Sequence, residues 1–238
     1  MISVSGIRGV IGDGLTPDIV SRYASAFGSF AGGGKIIVGR DARNTGPMLE
    51  HAVFAGLMAS GCDVINLGLS ATPTIQLAVE NYNAAGGIAI TASHNPQEWN
   101  AVKFMNRNGI FLDADEGVQV LEMAENLKTG YVSYKNVGSV EHHDSFDSEH
   151  INAILNSKSI KPEIIRKKKF RVVVDAINGA GSFILPSMLQ ALGCDVIKIY
   201  CDGNGEFTRG AEPLPENLKH LCEQVIETGA AVGFACDP

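Results

Sequence analysis

Five consecutive letters occur twice in this chain, each time in the same setting. Gly61-Cys62-Asp63-Val64-Ile65 recurs as Gly193-Cys194-Asp195-Val196-Ile197. Each copy lies behind an apolar run that leads to an aspartate. Lys35-Ile36-Ile37-Val38 leads to Asp41, and Phe170-Arg171-Val172-Val173-Val174 leads to Asp175. Residues 48–58 in the first case and 184–192 in the second have helical spacing. A strand, a helix and a further strand entered through glycine make one parallel α/β unit, and we read two copies of it. The pattern predicts an α/β fold with a mainly parallel sheet. Between the copies, Asp113-Ala114-Asp115-Glu116 predicts a helix start, with Asp113 as cap and Glu116 completing a capping box. That helix is expected to fade at Lys128-Thr129-Gly130. Residues 131–148 are polar and interrupted by glycine, which marks a connection and divides the chain into domains at 1–150 and 151–238.

The 238 residues are 45% hydrophobic, enough for a real core, and carry a formal charge of −7. An excess of acid argues against nucleic acid or an anionic membrane as partner, since both need a concentrated basic face. A small anion remains compatible wherever cations gather locally. Lys167-Lys168-Lys169 is the one compact basic run and reads as a solvated lead into the strand at Phe170. The five cysteines form no CxxC pair and are odd in number, so reduced thiols in a cytoplasmic protein are expected. Neither a signal peptide nor an apolar stretch of membrane-spanning length is visible, so a soluble protein is expected. His142, His143, Asp144, Asp147, Glu149 and His150 crowd the connection without helical metal-pair spacing and read as a solvated linker.

Several motifs fail. Gly32-Gly33-Gly34-Lys35 lacks the glycine and hydroxyl positions of a phosphate loop, Gly6, Gly9 and Gly12 do not follow a predicted strand, and no GxSxG elbow is present. Thr91-Ala92-Ser93-His94-Asn95-Pro96, directly behind the apolar run Gly87-Ile88-Ala89-Ile90, does not fail. Its plainest reading is a helix start, Asn95 capping and Pro96 in the first turn. Its functional reading places the Ser93 hydroxyl beyond a strand end, where open α/β sheets hold ligands, with free N–H groups of that helix facing an anion on the hydroxyl. Lys103 lies beyond an expected turn at Glu98-Trp99-Asn100 and could fold back toward the same place, to attract a phosphate or move a proton.

"TASHNP" followed by "WNAVKF" resembles the phosphoserine loop of the α-D-phosphohexomutases, the superfamily of phosphoglucomutase, phosphomannomutase and phosphoglucosamine mutase. Ser5-Gly6-Ile7-Arg8-Gly9, Gly39-Arg40-Asp41-Ala42-Arg43 and Ala211-Glu212-Pro213-Leu214-Pro215-Glu216-Asn217-Leu218 resemble three more of its signatures, in order along the chain. Ala101 departs from the glycine more usual at that position. The resemblance implies two similar domains with mixed, mainly parallel sheets and helices on both faces, the first two of four. It implies that Ser93 carries the transferable phosphate, with His94 and Asn95 in its loop and Lys103 and Arg8 as the proton-transfer and phosphate-orienting pair. A magnesium ion is implied on phosphorylated Ser93 and an aspartate-rich loop, of which Asp237 is the one ligand present.

The implied reaction interconverts hexose 1-phosphate and hexose 6-phosphate through a sugar bisphosphate of the glucose 1,6-bisphosphate type. The expected partners are hexose phosphates and the missing C-terminal domains of the same protein. With one carboxylate and no distal phosphate clamp, this chain alone is expected to be inactive. Phosphoglucosamine mutase is an alternative. A non-catalytic sugar-phosphate-binding module is an alternative of another class, and a serine phosphatase using His94 as base is a weaker one.

Overall fold

The computed structural model describes residues 2–3, 6–126 and 130–238. Ser5 of the first signature and the expected fading of a helix at Lys128-Thr129 lie outside the described residues. The chain opens with β1 (Ile2–Ser3), β2 (Gly6–Ile11), β3 (Gly14–Leu15) and α1 (Pro17–Ala31). The first repeated unit is β4 (Gly34–Arg40), α2 (Gly46–Ala59) and β5 (Cys62–Leu69). Next come α3 (Thr72–Asn81), β6 (Gly86–Ile90), β7 (Trp99–Met105), α4 (Ala114–Glu125), β8 (Val140–His142), α5 (Phe146–Leu155) and α6 (Pro162–Lys168). The second repeated unit is β9 (Arg171–Asp175), α7 (Gly181–Ala191) and β10 (Asp195–Ile199), followed by α8 (Lys219–Thr228) and β11 (Val232–Ala235).

Both copies of the pentapeptide do the same local work. Gly61 (φ 81°) and Gly193 (φ 79°) turn the chain out of a helix through the left-handed region, which glycine enters without a Cβ clash. The strands that follow pair in parallel with their partners, Gly34 opposite Cys62 in one case and Arg171 opposite Asp195 in the other.

Two compact units result. The first comprises Met1–Arg40, Thr45–Ala92 and Glu98–Asp144; the second comprises Asp41–Asn44, Ser93–Gln97 and Ser145–Pro238. The first sheet runs β1-β2-β7-β6-β4-β5-β8, with β3 beside β2. Strands from β6 to β8 in that order are parallel, while β7 is antiparallel to both β2 and β6. Strand alternation shows helices on both faces. Ile36 and Val38 point into the core with Val20 and Phe27 of α1, and Phe27 stacks on Phe104 at 4.8 Å. On the other face a Cβ added to Gly39 would meet Ile75 at 2.8 Å, and one on Gly87 would meet Val79 at 2.6 Å, so α3 lies hard against these glycines. The second sheet, β10-β9-β11, is wholly parallel, and its smaller core joins Val172, Val174 and Leu189.

The Asp113 capping box forms as predicted: Glu116 N–H donates to Asp113 at 2.9 Å and Asp113 N–H donates to Glu116 at 3.0 Å. One expectation needs correction. No helix begins at Asn95; residues 93–98 turn, and β7 starts at Trp99. The lysine run is exposed and leads into β9 as expected, and it also closes α6, where its positive charges complement the carbonyl end of the helix. The connection at 131–148 holds the boundary between the units at Asp144 and Ser145, and it also contains β8, which joins β5, and the start of α5 at Phe146. His142 and His143 spend their rings on local structure, near Asn66 (3.4 Å) and Tyr82 (2.7 Å) respectively. All five cysteines are free thiols, and no helix among the described residues is long and apolar enough to cross a membrane.

Candidate functional site

β6 is buried along its whole length, so the chain reaches the strand end with no freedom to spare. Thr91 N–H still donates to Ala101 O (3.0 Å), and then Ser93 turns through φ 51°. The left-handed region is uncommon for a residue with a Cβ and needs surrounding support. Arg43, fully buried, supplies it. Its guanidinium donates to three loop carbonyls: Ser93 O at 2.7 Å, Asn95 O at 2.8 Å and Pro96 O at 2.6 Å. Its Nε pairs with the buried carboxylate of Asp41 at 3.1 Å, and its plane stacks 5.0 Å from the Phe207 ring centroid.

Asp41 itself is fixed by the Arg43 backbone N–H (3.0 Å). From the other side, Gln97 Nε2 donates to Gly205 O (2.9 Å), and Asn178 fastens the stretch around Gly205 through Asp202, Gly205 and Glu206. So the serine loop, itself part of the second unit, is held by a buried cation and by the loop around Gly205 of that same unit.

The Ser93 hydroxyl donates to Asp237 Oδ2. Both residues belong to the second unit, Asp237 just past β11 and Ser93 in the segment Ser93–Gln97. Asp237 Oδ1 is buried and has no hydrogen-bond partner among the described residues. Cys236 beside it is a half-buried thiol whose pKa is pushed up by burial first and by the Asp237 charge second. Arg209 ties the same corner together, pairing with buried Asp175 at 2.9 Å and donating to Cys236 O at 3.0 Å.

Arg8 and Lys103 form a second pair. Arg8 lies opposite Ala101 and Gly6 opposite Lys103 on antiparallel β2 and β7. Direct and diagonal partners share a face, which puts the two cations on one face, two residues apart across the ladder. Lys103 Nζ sits 5.9 Å from the Phe111 ring centroid. His94 is exposed, and Asn95 enters the geometry through its carbonyl. Sequence reasoning gave no role to Arg43, Arg209, Phe207 or Gly205. Arg43 had a signal, since an aspartate two places before an arginine at a strand end is an Asx-turn pattern; the other three had none.

The pair of Ser93 and Asp237 offers hard oxygens, and an orphaned buried carboxylate oxygen suits a magnesium ligand. Among the described residues no group of three or more histidine, cysteine or acidic side chains stands together as a metal site.

A hydrogen-bonded serine and aspartate, each just past the end of a strand, fit α/β proteins that hold ligands at carboxyl edges. The model of phosphoglucomutase/phosphomannomutase, alpha/beta/alpha domain I, matches residues 2–130, and that of domain II matches residues 148–238. The chain belongs to the phosphoglucomutase/phosphomannomutase family. It is 38% identical over 238 residues to a Thermococcus kodakarensis protein named phosphoglucomutase/phosphomannomutase, covering 98% of this chain and 52% of that one. It is 37% identical over 233 residues to a Pyrococcus abyssi protein named "Probable phosphoglucosamine mutase", covering 98% and 50%. A crystal structure of a family protein from Burkholderia thailandensis superposes with a TM-score of 0.82 at 29% identity, over 99% of this chain and 53% of that one. The chain spans about half the length of the curated relatives it matches.

Proposed function

We propose that this chain supplies the phosphoserine half of an intramolecular phosphotransferase that interconverts hexose 1-phosphate and hexose 6-phosphate. The observation that carries the reading is the Ser93 hydroxyl, set on a strained strand-end loop and bonded to a carboxylate whose other oxygen has no hydrogen-bond partner among the described residues. Phosphorylated Ser93 gives its phosphoryl group to the free hydroxyl of a hexose monophosphate: the serine O–P bond breaks and a sugar O–P bond forms. The bisphosphorylated sugar reorients, and Ser93 takes back the other phosphoryl group. Charge spreads over the moving oxygens, so catalysis is mostly positioning and cationic stabilisation.

Lys103 exchanges the hydroxyl proton, and Arg8, on the same sheet face, orients the phosphate. His94 and Asn95 belong to the loop that meets the sugar phosphate. Ser93 and Asp237 would hold magnesium, which when bound neutralises charge on the phosphoryl oxygens. A glucose 1,6-bisphosphate-type sugar primes the serine. The two units are domains I and II of a four-domain protein of the cytoplasm, and the remaining domains complete the metal shell and grip the distal phosphate. One carboxylate and one serine oxygen leave most of an octahedral shell unfilled.

The 238 residues alone should therefore show negligible interconversion of glucose 1-phosphate and glucose 6-phosphate, and the protein with domains III and IV should show turnover. Full activity in the short chain would overturn this division of labour. A second reading, phosphoglucosamine mutase, draws on the names of relatives such as the Pyrococcus abyssi protein. Preference for glucosamine 6-phosphate over glucose and mannose phosphates in the longer protein would decide for it.

A further inference from the structure

We infer that Arg43 is the positioning residue of the phosphoryl-transfer loop, setting the direction in which that loop presents its hydrogen-bond donors; this rests on the phosphoserine reading of Ser93. Arg43 is fully buried, and its charge is spread over one carboxylate and three carbonyls, those of residues 93, 95 and 96. In a planar trans peptide the N–H points opposite to the C=O. Turning the Ser93 and Pro96 carbonyls onto the guanidinium therefore turns the His94 and Gln97 N–H groups away from it. The His94 N–H, directly after left-handed Ser93, and the Gln97 N–H are thereby left facing outward as donors for an anion such as a phosphate. No helix begins at Asn95, so this loop, through Arg43, supplies the donors that a helix start would have supplied.

The arrangement also explains how Ser93 keeps φ 51°. The guanidinium bonds the carbonyl of that same residue, and its planar fork reaches three acceptors at once. A lysine ammonium is a point charge on a flexible stem and does not reproduce that fork.

The test compares the wild-type protein carrying domains III and IV with its R43K and R43A variants, following phosphoryl transfer from glucose 1,6-bisphosphate to Ser93 by intact mass. In that step a sugar O–P bond breaks, the Ser93 Oγ–P bond forms, and the sugar oxygen leaves carrying the serine proton. R43K is expected to lose ~100-fold in maximal transfer rate with little change in half-saturating sugar concentration, the cost of a misplaced nucleophile. Added guanidinium ion is expected to restore part of the R43A rate. Backbone order parameters at His94, Asn95 and Gln97 in R43K should fall from about 0.85 to below about 0.6, with β4 and β9 unchanged. Wild-type transfer rate in R43K, or unchanged order in the loop, overturns the proposal. If the wild-type protein itself takes no phosphoryl group, the phosphoserine reading fails separately, and the order parameters still decide the role of Arg43.

Discussion

Asp41 and Asp175, the matching aspartates of the two repeated units, perform the same task. Each accepts the backbone N–H two residues on, at 3.0 Å from Arg43 and 2.9 Å from Ile177, and each pairs with an arginine at least 94% buried. The aspartates were legible in the sequence because they end strands in parallel contexts. Their arginines were not equally so. Arg43 is two residues away, but Arg209 is 34 residues from Asp175, a separation that no local period records. Truncating Arg209 to methionine leaves a buried carboxylate unpaired and should cost about 3–5 kcal/mol in urea unfolding. The double variant D175N/R209M should lose less than R209M alone, because no uncompensated charge remains. Ser93 and Asp237 were both named from their motifs, yet only the folded chain shows their mutual hydrogen bond.

Elements were readable wherever period and cap agreed. The Asp113–Glu116 box is one case, and D113A should cost about 1 kcal/mol of stability, measured by thermal unfolding, with D113S largely retaining it. At Asn95-Pro96 the local signal for a helix was sound and was overruled. Arg43 binds the Ser93, Asn95 and Pro96 carbonyls, and the chain turns back at once into β7, opposite β6. Tertiary hydrogen bonds to a buried cation outweigh a cap worth roughly 1 kcal/mol. Gly205 carries a similar tertiary demand that sequence does not display. It sits at φ 75°, and a Cβ there would lie 1.9 Å from Ala42 O. G205A should therefore destabilise by at least about 1–3 kcal/mol and loosen the seat of Phe207 on Arg43.

For the molecule as a whole, the two α/β units were visible in a repeated pentapeptide. That Asp41–Asn44 and Ser93–Gln97 group with the second unit was not, because membership follows contacts made far along the chain. Acid–base behaviour also belongs to this scale. Burial raises the Asp147 pKa above its ordinary 3.8, and its Oδ1 has no hydrogen-bond partner among the described residues. The native state then holds a proton that the unfolded chain releases, so stability falls as pH rises from about 3.8 through the raised value. D147N should flatten the pH dependence of the unfolding midpoint in that window and raise stability at neutral pH; an unchanged profile would contradict this.

Covalent capture of phosphorus by one hydroxyl is the core of the account. The direct measurement is intact mass of the protein carrying domains III and IV after incubation with glucose 1,6-bisphosphate and magnesium. The account predicts a single phosphoryl adduct, mapped to Ser93 and absent in S93A. No adduct, or one that persists in S93A, would contradict it.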